Sequence, residues 1–295
     1  MHRLVSSIVI VGLALAPSIV SAQAGDGLKG QTFQLKKKAP AVGDVETVAL
    51  GLEMRLDFVL SGPDMDSEPL ELSNTSSSNY SMTVLAARKG LLERVKVVYG
   101  DMYEDAVEEG KKERTVSPVN GKTYVAGLEK GRMVVTTEDG KPVSPEELAA
   151  IKENLPELGK VDALEAALPD KPLRVGDSLD RFAKVLTKEV LQPDDPAARF
   201  TGTRVRLSEI VQDARGAVGI FSVSTTMTVQ EKDSPVTVTI PLEGKMSLLA
   251  EGARMFGFSL AGPASVGLSK ELRAAGISVA GEGGMKLTVT DPTWK

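Results

Sequence analysis

The chain has 295 residues, of which 42% are hydrophobic and 25% charged, a formal net charge of −5, no cysteine, and one histidine at position 2. These counts exclude disulfide bracing, zinc sites built on Cys or His, haem ligation by either residue, and, beyond His2, any mechanism that needs an imidazole base. The acidic balance also argues against nucleic acid or an anionic membrane surface as partner, because both reward clustered Lys and Arg.

Residues 1–24 open with His2 and Arg3, continue through an apolar run from Leu4 to Leu15, and close on Pro17 and the small-residue exit Ala22-Gln23-Ala24. This is the layout of a secretory signal peptide. A spanning helix needs about 20 mostly apolar residues, and Pro17, Ser18 and Ser21 cut the run short of that. Cleavage after Ala24 would remove the only histidine and, among charged residues, only Arg3. With no cysteine to carry a lipid, the expected product is a soluble protein of the periplasm or extracellular space, held by its core rather than by disulfides.

Residues 25–43 are rich in Gly, Lys, Ala and Pro and read as a flexible leader, with a short strand at Thr32 to Leu35 and a solvated linker at Lys36-Lys37-Lys38. From Asp44 a single β-rich domain, 44–295, is expected. Leu52, Met54, Leu56, Phe58 and Leu60 alternate with Glu53, Arg55 and Asp57, the pattern of a half-buried strand. Polar loops are expected at Ser61 to Glu68 and Ser73 to Asn79. Further strands are expected at Tyr80 to Ala86, Leu91 to Val98, Thr123 to Ala126 and Arg132 to Thr137.

A helical insert, 144–198, changes the period. Ser144-Pro145-Glu146-Glu147 is a capping-box start, with Pro in the first turn where its missing N–H costs nothing. Leu148, Ile151 and Leu155 share a face before Pro156. Val161, Leu164 and Leu168 suggest a second short helix, and Leu179, Phe182, Val185, Leu186 and Val190 a third. Strands resume at Arg204 to Ile210, Ala217 to Val229, Val236 to Leu248, Met255 to Leu268 and Met285 to Thr290, with Gly244 as a bulge or bend. Strands on both sides of a helical centre, without βα alternation, define α+β: a mainly antiparallel curved sheet packed against the insert. The frames Gly257-Phe258-Ser259-Leu260-Ala261-Gly262 and Gly276-Ile277-Ser278-Val279-Ala280-Gly281 match, which is compatible with two related β halves, 44–140 and 200–295.

Motifs for catalysis are missing. Gly257 to Ala261 falls short of a nucleophile elbow and has no histidine to serve it, and no Ser stands three residues before a Lys. There is no Walker loop, and Gly281-Glu282-Gly283-Gly284 lacks dinucleotide-fingerprint spacing. Asp64-Met65-Asp66-Ser67-Glu68 begins like a calcium loop but lacks the sixth-position Gly and twelfth-position Glu, and reads as a hairpin loop. Asp101, Glu104, Asp105, Glu108 and Glu109, followed by Lys111, Lys112 and Arg114, read as a charged turn or short helix. One Trp, four Tyr and seven Phe offer few sugar platforms or membrane girdles, which weighs against a glycosidase or an outer-membrane barrel.

The segment Lys171-Pro172-Leu173-Arg174-Val175-Gly176-Asp177-Ser178, preceded by Asn120-Gly121-Lys122-Thr123-Tyr124 and Thr137-Glu138-Asp139-Gly140-Lys141, resembles a group of uncharacterised exported bacterial β-rich proteins. In that group a strand, a G-K hairpin, a helical stretch and this turn recur in order. The resemblance spans about residues 45–290, and it implies no catalytic residue. The layout is also similar to that of the lipoprotein-carrier proteins of the bacterial envelope. The resulting expectation is a non-enzymatic, exported cell-envelope protein without cofactor or metal. Its apolar ligand, a lipid or similar molecule, would be lined by Phe256, Phe258, Leu260, Val238, Ile240, Met246 and Met227, unless these side chains are simply core. The alternative is an envelope scaffold or interaction module that works through edge strands and acidic loops.

Overall fold

Period-two alternation carries most of the architecture. The computed structural model describes residues 31–108, 110–155, 157–191, 196–232 and 234–291; the signal-like segment lies outside them. In chain order the elements are β1 (Thr32–Phe33), β2 (Lys36–Lys37), β3 (Val45–Gly62), β4 (Met65–Arg88), β5 (Leu91–Glu108), β6 (Lys111–Val116), β7 (Thr123–Glu129) and β8 (Arg132–Thr137). The insert follows with α1 (Pro145–Asn154), α2 (Ala163–Ala167), β9 (Leu173–Arg174) and α3 (Asp180–Val185), which runs on into one π turn at Leu186–Val190. The second β region comprises β10 (Ala198–Asp213), β11 (Gly216–Val229), β12 (Val236–Leu249), β13 (Glu251–Gly252), β14 (Met255–Pro263), β15 (Ser265–Leu268), α4 (Lys270–Ala274) and β16 (Ser278–Thr290).

The main sheet is antiparallel, in the order β10-β11-β12-β14-β16-β3-β4-β5-β7-β8, with β15 also on β12 and β6 also on β5. The fold is therefore the expected α+β arrangement, a large curved, mainly antiparallel sheet with a helical insert. Each β region is a meander. The two meet where β16 pairs with β3 over thirteen residue pairs, from Ser278 opposite Ser61 to Thr290 opposite Ala49.

One face of this sheet is apolar along most of its long strands, β4 carrying Asn74, Ser76 and Ser78 on it between Leu72 and Tyr80. Val48 to Leu60 on β3 point inward at every second position, as do Val95, Val97 and Tyr99 on β5 and Val236 to Leu248 on β12. The insert covers that face: Ile151, Leu155, Leu164, Phe182 and Leu186 belong to the same continuous core as the inward strand residues. The three predicted helices are present. Ser144 Oγ accepts from the Glu147 N–H and the Glu147 carboxylate accepts from the Ser144 N–H, closing the capping box.

Three expectations are corrected. The leader is tied down where it is described: Phe33 is fully buried, β1 pairs with β9, and Lys36–Lys37 pair with Glu251–Gly252. The polar runs Ser61 to Glu68 and Ser73 to Asn79 are strand, apart from the turn at Pro63-Asp64. Ser and Asn carry little hydrophobic contrast, so alternation cannot mark them, yet continuous register with β3 and β5 holds them extended. The acidic cluster at 101–105 likewise lies in β5 and pairs with β6, where Arg114 bridges Asp105 and stacks over Tyr103.

Gly244 is not a bulge. Its pairing with β11 and β14 is in register, but a Cβ there would overlap the Ser259 carbonyl oxygen on β14. Gly262 meets the Pro241 carbonyl in the same way, so paired strands lean into contact through two glycines. Replacing Gly244 with Ala should therefore cost about 1–3 kcal/mol through overpacking. Urea denaturation checks this, and an unchanged midpoint would show that the strands have room to part.

Candidate functional site

The predicted lining is core rather than pocket. Met227, Ile240, Met246 and Leu260 have no exposed surface, and Val238 and Phe258 are at most 5% exposed, all within the main core. Phe256 is on the other side of the sheet. Leu248 pairs with Met255 and Ser247 with Gly257, so Phe256 is the extra residue of a bulge. It joins Val218 and Leu249 in a small separate cluster, with the Arg215 guanidinium over its ring. Met255 takes the inward position that alternation assigns to Phe256.

A cleft opens elsewhere, between the insert and the end of the sheet formed by the start of β3, the end of β4 and the start of β5. Its wider part has a volume of about 490 Å³ and its narrower part, beside the end of α1, about 210 Å³. Lys38, Glu46, Met82, Leu92, Asp162 and Glu165 line both, so the two parts adjoin along a common wall. The walls of the wider part are apolar at Val84, Leu164, Leu168, Phe182, Leu248 and Met255.

Glu46 is the unusual group in it. It occupies the inward position of β3 one alternation step before Val48, and pairs with Met82 on β4. No hydrogen bond or ion pair reaches its carboxylate among the described residues. Burial pushes its pKa up to about 7, with the Arg254 guanidinium acting the other way and Asp162 and Asp291 adding to the rise. Its remaining surface faces the cleft. Arg254 is itself bound to the fully buried Asp291, at 2.7 Å. Burial, and then the nearby Asp162, also raise Glu157 and Glu165. Asp162 in turn caps α2, accepting from the N–H groups of Leu164 and Glu165.

Behind Glu46 runs a row of tyrosines on β4, β5 and β7. The Tyr80 and Tyr99 rings lie 5.8 Å apart and those of Tyr99 and Tyr124 6.0 Å apart. Tyr124 donates to Glu147 at 2.7 Å, and Lys122 binds the same carboxylate, which holds Glu147 down at about 2 and fixes α1 over the sheet. Tyr80 and Tyr99 are buried, and among the described residues neither hydroxyl has a partner in hydrogen-bonding geometry, with the Asn154 side chain near that of Tyr99. Burial raises both pKa values; the Glu46 charge adds to the rise at Tyr80, while the Asn154 side chain opposes it at Tyr99.

The alternation itself could have exposed this site. Stepping back from Leu52 through Leu50 and Val48 puts Glu46 on the apolar face, a charge where a hydrophobe belongs. By contrast, Asp64 and Asp66 flank or occupy an exposed hairpin end, and no group of three acidic residues converges as a metal site among the described residues. No described helix is long and apolar enough to cross a membrane.

No protein-family model matches the chain, and no curated protein matches it. Among solved structures, DynF from the dynemicin biosynthesis pathway of Micromonospora chersina aligns over 99% of this chain and 100% of its own, at 6% identity and a TM-score of 0.22. A likeness that slight decides neither fold nor function.

Glu46 makes stability depend on pH in an uncommon direction for a carboxylate. Its folded pKa, about 7, lies above the ordinary 4.5, so the folded state holds a proton that the unfolded chain releases. Its contribution is fully favourable below about pH 4.5 and is lost as pH rises through 7. Glu46→Gln should remove this loss and stabilise the protein at pH 8 by up to about 3 kcal/mol. Denaturation of both proteins from pH 4 to 8 measures it, and parallel curves would show that Glu46 is solvated.

Proposed function

We propose that this is a non-enzymatic, exported cell-envelope protein that binds an apolar or amphipathic molecule between its sheet and its helical insert. The observation that supports this reading is the two-part cleft beside α1 and α2. Its wider part, about 490 Å³, falls within the roughly 300–1,000 Å³ typical of small-molecule sites. The walls at Met82, Val84, Leu92, Leu164 and Met255 suit a hydrocarbon body, and the carboxylates at one end suit a polar group.

Export rests on the signal-like residues 1–24, and binding rather than catalysis on the absence of cysteine and of any histidine after His2. The resemblances to exported β-rich proteins and to lipoprotein carriers point the same way, as resemblances.

Native mass spectrometry of the protein purified from its host, before and after lipid extraction, tests the reading. A bound small molecule is expected before extraction, and should rebind afterwards. Leu92→Arg, at the wall shared by both parts of the cleft, should abolish rebinding, while Val98→Arg, which replaces an exposed valine on the opposite face of β5, should not. A homogeneous protein that carries nothing and binds nothing would overturn it.

A second reading, an interaction module, is favoured by β6. All six of its residues are exposed and it pairs only with β5, which leaves an edge free for another strand. Crosslinking in the envelope from a photoreactive residue at Val116 should then capture a protein partner; capture of none counts against it.

A further inference from the structure

We infer that the Glu46 end of the cleft recognises a cationic head group, an amine or quaternary ammonium, on an amphipathic ligand; this rests on the cleft being the binding site. The narrower part of the cleft carries four carboxylates, Glu46, Glu157, Asp162 and Glu165, against two lysines, Lys38 and Lys160. Lys38 is already engaged by Asp44, at 3.1 Å. Arg254, which lines the wider part and acts on Glu46, is bound by Asp291, so the balance in the narrower part is acidic and disfavours a phosphate, sulfate or carboxylate head.

Acidic residues alone would not make a site; here one of them, Glu46, is an inward-facing group without a partner that lines both parts of the cleft. The Glu46 carboxylate has no hydrogen bond among the described residues although it lies on the inward face of β3. Buried polar groups left without partners cost stability unless something else satisfies them. An ammonium group supplies what Glu46 lacks: its N–H donors fit the carboxylate, and its charge offsets that of Glu46, Asp162 and Glu165. A quaternary ammonium would satisfy the charge without the donors. The apolar walls toward Leu164 and Met255 would take the hydrocarbon.

The test is titration calorimetry at pH 8, below micelle formation, with dodecylammonium, dodecanoate and dodecanol. Dodecylammonium should bind roughly ten-fold or more tighter than either of the others. Glu46→Gln should remove most of that preference while leaving dodecanol binding unchanged. Equal binding of all three probes, or a preference that survives Glu46→Gln, overturns the head-group assignment and leaves the cleft standing. Binding of none overturns the cleft itself.

Discussion

An open sheet with one apolar face cannot stand alone in water, and this constraint organises the whole molecule. The long strands point Val, Leu, Ile, Met, Phe and Tyr inward at alternate positions, and no closure into a barrel hides them: β8 and β10, the two ends of the sheet, are not paired with each other. The insert between β8 and β10 is therefore the lid on the core. Its helices are short, and their own propensity contributes little; they persist because Ile151, Leu164, Phe182 and Leu186 fill the sheet's inner face. Each fully buried side chain of this size is worth about 1.5–3 kcal/mol.

The lid is anchored unevenly. At the start of α1, Glu147 closes the capping box and binds both Lys122 and Tyr124, so one carboxylate holds a helix to a strand. At the other end, beyond Asn154, Leu155 and Leu158 stay in the core and the Gly159 N–H donates to the Leu92 carbonyl on β5, and the cleft opens beside these contacts. Core packing and cleft are thus one feature: the insert touches the sheet where its apolar residues reach and leaves a gap where acidic residues face inward. The row Tyr80, Tyr99, Tyr124 shows the gradient, from a satisfied hydroxyl under the cap to two unsatisfied ones nearer the gap.

Much of this was legible in the chain. The alternation of β3 and β12, the capping box and the three helical segments each state a local rule that tertiary structure obeys. What escaped has definite causes. Ser73 to Asn79 is strand because neighbours on both sides impose it, a non-local effect. Phe256 departs from its expected face because it is itself the extra residue of β14, opposite the step from Ser247 to Leu248 on β12, and the bulge reverses parity. The candidate lining followed from apolar face alone, which identifies core and cavity wall equally. Glu46, the residue that distinguishes them, breaks the alternation and was readable only by extending the pattern one step past its apolar end.

The seam between the two meanders has a further consequence, for the order of assembly. β16, the last described strand, is central in the sheet, flanked by β14 and β3. Its register with β3 joins residues as far apart as Ala49 and Thr290, and such distant pairing is slow to form. A chain emerging from the ribosome can form its first meander early, yet β3 keeps one edge unpaired until synthesis has passed residue 290. For that interval the first half of the protein is a sheet with an open side, and its completion waits on the synthesis of β16.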